Sequence, residues 1–350
     1  MEEDRKALLT VACVRRMGPV RFRELLARSG SVELLLAELP TAERRDAEQR
    51  ARHLTRNADR VGATLLLQRD HGYPSALLDL EDPPPFLFSL GCVSHLEMPM
   101  VAIVGTREAT GYGERIASRF AASLADAGIA VVSGLARGID TAAHRGVLAR
   151  SGATVAVLPS GVDLPCPPRH RTIHAEIVAR GLVVSEHECG STPRRGSFPR
   201  RNRLIAALGA ATIVVEAGHR SGAQLTASLA IGIGRPVGAV PGAIDSPASV
   251  GTNALIRDGA TPVVCVEDIL ALIGAPVVRS SAQPATSPAP QPMVADEIGT
   301  RLWNRLRRES ASLDVLVTEF ATSPREILQA LTKLEVAGLV RSEASDYAAN

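Results

Sequence analysis

Val101-Ala102-Ile103-Val104-Gly105-Thr106-Arg107, with the stretch 113–127 behind it, decides the fold of this chain. Four apolar residues run without a break into a glycine turn. Behind the turn Ile116, Phe120 and Leu124 recur every fourth residue, while Arg115, Arg119 and Ser123 fall elsewhere, the pattern of a helix with one apolar face. The unit then repeats. Further strands are expected at 130–133, 154–158, 182–185, 212–215, 236–240 and 262–266, with helices near 139–150, 169–179, 203–208, 222–231 and 253–257. Short apolar strands alternating with helices predict a mostly parallel sheet covered on both faces. Ligands of such sheets bind beyond the carboxyl ends of the strands, so the loop after each strand is where function is read.

The flanks differ in pattern. Residues 1 to about 60 read as a small helical module, with amphipathic segments at 7–17, 20–28 and 32–39 broken at Gly18-Pro19 and Gly30-Ser31. Residues 61–275 form the main domain. Its first part carries Pro74 and Pro83-Pro84-Pro85, which confine the strands at 63–68 and 86–90 to the sheet's edge. Residues 276–296 are Pro-, Ala- and Ser-rich and read as a flexible linker, because they lack apolar surface to bury. Residues 297–350 fold again. Helices are expected at 298–306 and 312–319, and Ser323-Pro324-Arg325-Glu326 opens a third with Ser as cap, Pro in the first turn and Glu three after the cap. A strand at Leu339-Val340-Arg341 completes a winged-helix-like module. Its third helix carries only Arg325 and Lys333 as cations, which favours protein docking or a structural duty over duplex reading.

Overall charge says little: 39 Lys and Arg stand against 37 Asp and Glu, so a polyanion site must come from local clustering. Cys13, Cys92, Cys166, Cys189 and Cys265 are scattered without a C-x-x-C pair, which argues against a zinc site or a disulfide framework. No cofactor signature is present. The charged start, Met1-Glu-Glu-Asp-Arg-Lys6, lacks a signal-peptide core, and no run nears the ~18 apolar residues of a membrane span. A cytoplasmic protein without membrane contact is expected.

The loops carry the chemistry. Gly105-Thr106-Arg107 and Gly134-Leu135-Ala136-Arg137-Gly138 each open a helix, and glycines, helix amides and a forked guanidinium suit an anion. Neither loop matches the dinucleotide or P-loop spacing. A tight turn with a surface arginine is an equal reading of the first. Asp140 and His144 lie four apart, as an acid/base pair or as a first-turn carboxylate beside a surface histidine. The densest signal is Pro193-Arg194-Arg195-Gly196-Ser197-Phe198-Pro199-Arg200-Arg201-Asn202-Arg203, five arginines without an acid. Like charges repel, so a polyanion is the simpler account of such density. Phe198 offers a face for a base, worth about 1–3 kcal/mol. Stacking plus phosphate contact describes single-strand binding better than duplex reading. A solvated loop with Phe198 turned inward is the alternative. Nothing forms a hydrolytic triad; Glu108, Glu186 and Glu216 are single, and His219 has no nucleophile beside it.

These stretches, with Phe198-Pro199-Arg200-Arg201-Asn202-Arg203, Val215-Glu216-Ala217, Arg220-Ser221-Gly222, Pro241-Gly242 and Gly251-Thr252-Asn253-Ala254-Leu255-Ile256, resemble the DprA/Smf family of DNA-processing proteins of natural transformation. The resemblance implies an extended Rossmann-like domain that binds single-stranded DNA, dimerises through that domain and loads the RecA recombinase, with no catalysed reaction. It implies a SAM-like helical domain before it and a winged helix after it. Carried over by residue, it implies that Gly105, Thr106, Arg107, Gly134, Arg137 and Gly138 hold phosphates. It implies that Phe198 meets a base, that Arg200, Arg201, Asn202 and Arg203 line the groove or orient it, that Arg195 supplies a cation just before that Phe, and that Arg220 belongs to the DNA-binding set. The chain departs from the family at Pro159-Ser160-Gly161 and at Cys166, where a tyrosine is common; no role is expected of that side chain. A nucleotide-processing enzyme of the lysine-decarboxylase-like or phosphoribohydrolase type would need a Pro-Gly-Gly-x-Gly-Thr loop, and Glu216-Ala217-Gly218-His219-Arg220-Ser221-Gly222 stands there instead.

Overall fold

The structure, a computed structural model, describes residues 2–28, 32–219, 221–275, 297–307, 310–343 and 346–349. The expected linker at 276–296 and the candidate Arg220 lie outside these residues. The chain divides into two compact units, 1–277 and 278–350.

The first unit opens with four helices, α1 (Glu2–Ala12), α2 (Pro19–Arg28), α3 (Val32–Glu38) and α4 (Thr41–Val61). The first begins and ends five residues before the 7–17 read from sequence, and the long α4 had no segment of its own in that reading. Its apolar stripe is thin: Ala47, Ala51, Leu54 and Ala58 are its buried residues in a helix otherwise rich in charge. The helices do not fold around a private core. Phe22 and Leu54 share one buried cluster with Leu67, Phe88 and Ile177 of the sheet domain. Polar ties reinforce the join, from Arg5 to Asp70 at 3.1 Å and from Asn57 to Glu188 at 2.7 Å.

The sheet domain runs β1 (Thr64–Leu67), β2 (Phe86–Gly91), β3 (Met100–Val104), α5 (Gly111–Asp126), β4 (Ala130–Ser133), α6 (Ile139–Leu148), β5 (Thr154–Val157) and α7 (Arg171–Arg180). It continues with β6 (Leu182–Ser185), α8 (Ser197–Leu208), β7 (Ala211–Val214), α9 (Gly222–Gly232), β8 (Val237–Ala239), α10 (Val250–Arg257), β9 (Thr261–Pro262) and α11 (Val266–Leu272). The nine strands order as β1-β2-β6-β5-β4-β3-β7-β8-β9. Pairing is parallel from β6 to β9, and β2 joins β6 antiparallel with β1 outside it. So β1 is an edge strand and β2 is not. The three prolines precede β2 and leave its amides free to pair on both sides. The strand expected at 262–266 is cut to two residues, because Asp268 accepts from the Val264 and Cys265 amides and starts α11 there.

Alternation along the strands sorts the two faces. Val101, Ile103 and Val131 meet α5, α6 and α11 on one side; Ala102, Val104 and Val132 meet α8 and α9 on the other. The chain walks from β3 to β6 in one direction, then returns to place β7 on the opposite side of β3. The carboxyl ends of β3 and β7 therefore flank a topological switch, where loops diverge and leave a crevice.

The second unit contains α12 (Glu297–Leu306), β10 (Ala311–Ser312), α13 (Leu313–Phe320), α14 (Pro324–Val336), β11 (Val340–Glu343) and β12 (Asp346–Ala349). Ser323 and Glu326 form the expected capping box of α14. Leu302, Leu316, Ile327, Leu331, Leu334 and Val340 make its core. The strands pair in the order β10-β12-β11, so β11 and β12 form the wing that the sequence after Arg341 did not reveal.

Candidate nucleic-acid interface

The loops after β3, β4 and β7 are hydrogen-bonded into one rim. The Thr106 amide donates to the Glu216 carbonyl at 2.8 Å, and the Ile139 amide to the Thr106 carbonyl at 3.3 Å. Gly138 has φ of 72°, and a Cβ there would overlap the Thr106 carbonyl, so only glycine allows the second contact. Thr110 caps α5 and holds Glu216 as well: its amide and hydroxyl donate to the two carboxylate oxygens at 2.9 and 2.5 Å. Glu216 is buried and engaged through both oxygens. It anchors a helix start and is not a free acid.

The arginine-rich stretch is not a loop. The helix α8 starts at Ser197, not near 203, so Phe198, Arg200, Arg201, Asn202 and Arg203 sit on its first two turns. Pro199 hides this start from a sequence reading, but its missing N–H falls among first-turn amides that need no helical partner. Helical spacing turns the arginines in different directions.

Arg201 is 5% exposed. Its Nη1 donates to the carbonyls of Gly134 at 2.5 Å and Val157 at 2.7 Å, and its Nε to the Asn202 side chain at 3.1 Å. These bonds pull the start of α8 onto the carboxyl ends of β4 and β5. Gly134 is required there, since a Cβ would overlap the guanidinium. Asp140 supplies the opposing charge. Burial pushes its carboxyl up, and Arg201 together with the Gly134 and Ala136 amides, which donate to it at 3.1 and 3.3 Å, offsets only part of that rise. Arg201 is thus a buried strut and not the phosphate grip expected of it, and Gly134 makes room instead of offering its amide. The Thr106 amide is likewise spent inside the rim.

Arg203 is buried in the same way. It is 6% exposed, paired with Glu186, and donates to the Asp82 carbonyl at 2.9 Å. The acid that the stretch lacks in sequence comes from a neighbouring loop. Asp140 and His144 do not pair either. His144 is fully buried against the Thr154 hydroxyl at 2.8 Å, not at the surface, and burial pulls its pKa down to about 3.

What remains exposed is a smaller set. Arg107, Arg137, Arg195 and Arg200 are exposed, with Arg200 3.5 Å from Glu186. The Arg107 guanidinium lies 5.3 Å over the half-buried Phe198 ring, a cation–π contact. Beneath them is a cavity of about 190 Å³ lined by Gly134, Arg137, Pro159, Cys166, Pro167 and Arg201. Next to it a cavity of about 380 Å³ is lined by Gly105, Thr106, Arg107, Arg201, Asn202 and Ser221. The sequence reading gave no role to Cys166, yet its side chain walls the first cavity, where burial raises its thiol pKa. Its place before Pro167 in the motif-bearing loop was the available signal. No cluster of metal-ligating side chains occurs among the described residues.

A doubly wound sheet whose switch point carries an aromatic-floored, arginine-lined cleft, with Asp140, Glu186 and Glu216 tied into structure and Glu108 the exposed acid at its edge, defines a polyanion-binding protein. Comparison with known proteins narrows the class. Residues 64–274 match the model of DNA recombination-mediator protein A, residues 2–60 the DprA-like N-terminal HHH domain and residues 283–345 the DprA winged helix domain. The chain belongs to this family of DNA recombination mediators. It is 35% identical to protein Smf of Synechocystis over 308 residues, covering 78% of this chain and 77% of that protein. It is 37% identical to the DNA processing protein DprA of Streptococcus pneumoniae over 219 residues, covering 63% and 77%. The X-ray structure of that pneumococcal protein superposes with a TM-score of 0.64 at 30% identity, over 77% of this chain and 95% of that one. A Helicobacter pylori DNA processing protein A, whose structure is described for its single-stranded DNA binding mode, superposes at 0.55 with 32% identity, over 60% and 94%. The family is one of DNA-binding mediators and not of enzymes. No helix among the described residues is long and apolar enough to cross a membrane.

Proposed function

We propose that this protein binds single-stranded DNA at the β3–β7 switch point and delivers it to the RecA recombinase. The observation that carries the reading is Arg107 over Phe198 above the 190 Å³ cavity. An exposed guanidinium on an aromatic face pairs a phosphate contact with a stacking surface, and the cavity beneath has room for a group of base size. Arg137 stands beside Arg107 for phosphate, with Gly105, Thr106 and Asn202 along the neighbouring cleft. Arg195 and Arg200 stand exposed at the start of α8. They sit at the positive end of a helix, a placement that an anion relieves. The Helicobacter relative's single-strand binding supports the same ligand.

Family membership supports delivery to RecA, a cytoplasmic location and a role in DNA uptake and homologous recombination. Dimerisation through the sheet domain has support from exposed apolar residues on elements at the β8–β9 end: Ile231, Ile244, Val250 and Val264. The test is fluorescence anisotropy with a labelled poly-dT and a duplex of equal length across a salt series. Tighter binding to poly-dT with a steep salt dependence is expected. A preference for duplex at physiological salt rejects the reading.

A further inference from the structure

A second cleft of the first unit lies beside the switch-point pocket. It is a trough of about 1000 Å³ between α5 and α6 that begins at Arg107, Arg137 and Gly138. Its floor is made of Ser118, Ala122, Ala142, Gly146 and Ala149. A Cβ at Gly146 would overlap the Ser118 carbonyl, so the two helix backbones touch and only small side chains fit between them. The walls carry Arg115, Arg119, Arg145, Arg150 and Arg169, all exposed. Two carboxylates, Glu108 and Glu114, also line it. Among the described residues the one ion pair of these wall arginines joins Arg150 to Asp126, and at 3.7 Å between exposed groups it neutralises little.

From this we infer that the trough is a second, backbone-only track for the same DNA strand after it leaves the Arg107–Phe198 pocket. The inference rests on the proposed function and extends it. Three observations favour a nucleic-acid strand over an acidic protein segment. The trough is continuous with the pocket, because Arg107 and Arg137 line both. Its cations are arginines, whose fork matches phosphate oxygens. Its small-residue floor lacks the apolar anchors that a bound peptide helix needs. No Phe, Tyr or Trp lines it, so it contacts phosphates without stacking bases. At about 1.5 Å per residue the 16-residue α5 is about 24 Å long, room for several phosphates.

The test uses the full chain carrying Arg119→Gln and Arg145→Gln together, with circular dichroism and the thermal midpoint as fold controls. Binding is measured with a dT oligomer of about 6 nucleotides, which fills the pocket, and one of about 20, which overruns it. On the long oligomer the double variant is expected to bind more weakly, with the magnitude of its log–log salt slope lower by about 1.4 for two lost phosphate contacts. On the short oligomer it matches the wild type. Equal losses on both lengths, or an unchanged salt slope on the long one, overturn the inference and assign the trough elsewhere. A wild type that binds neither oligomer brings down the proposed function itself, a separate outcome.

Discussion

Arg201→Ala separates a strut from a grip. The residue stands in the densest basic stretch of the sequence, and a phosphate clamp there should cost DNA affinity when removed. The structure assigns it another task. Truncation orphans the Gly134 and Val157 carbonyls and leaves Asp140 buried without its opposing charge. A hydrogen bond to a charged group contributes about 1.5–3 kcal/mol, and removing one member of a buried charged pair costs about 3–5 kcal/mol. A loss of about 3–5 kcal/mol is expected, read as a lower urea midpoint with unchanged m. At roughly 2–4 °C per kcal/mol the thermal midpoint drops by about 10 °C. Arg107→Ala serves as the control. It is exposed, so its stability stays within about 0.5 kcal/mol of wild type while the single-strand salt slope falls by about 0.7. Arg201→Ala unfolding at the wild-type midpoint, while losing affinity and salt slope as Arg107→Ala does, refutes this account.

Phe198→Ala is expected to weaken poly-dT binding by about 1–3 kcal/mol with the salt slope preserved; a reduced slope shows instead that the ring serves to hold Arg107 in place. His144 gives the fold a pH dependence. Its folded pKa, pulled by burial to about 3, lies below the unfolded value near 6.5, so the unfolded chain binds the extra proton in between. Stability is full above about pH 6.5 and falls by about 1.4 kcal/mol per unit as pH drops through that window. The thermal midpoint of His144→Gln should decline less between pH 7 and 5 than that of the wild type, and identical declines count against the assignment. Deleting the residues after Pro276, which removes the second unit, should leave single-strand affinity largely intact; its loss moves the site to the winged helix.

Most of the sheet was legible in the sequence. Strands β3 to β8 fall within about a residue of their expected ends, because a wholly buried parallel strand is an apolar run closed by a turn. The start of α8 was not, because six basic or turn-forming residues around Pro199 look like a loop until the helix is seen to use them as its first two turns. The bend of the chain into α11 was missed for a similar reason, with Asp268 capping a helix where apolar residues suggested strand.

The sequence by itself determined the alternation of strand and helix, the placing of glycine turns at one rim, and the kind of charge gathered there. Only the tertiary structure decided which charges are free. Arg201 and Arg203 read the same as Arg107 in one dimension, yet their partners, Val157, Gly134, Glu186 and Asp82, lie 17 to 121 residues away along the chain. Burial and neutralisation depend on groups brought close by folding, and a local pattern holds no record of them. The same reason kept the α5–α6 trough out of view: its arginines are spread over 115–169 and form one surface only when two helices pack on glycine.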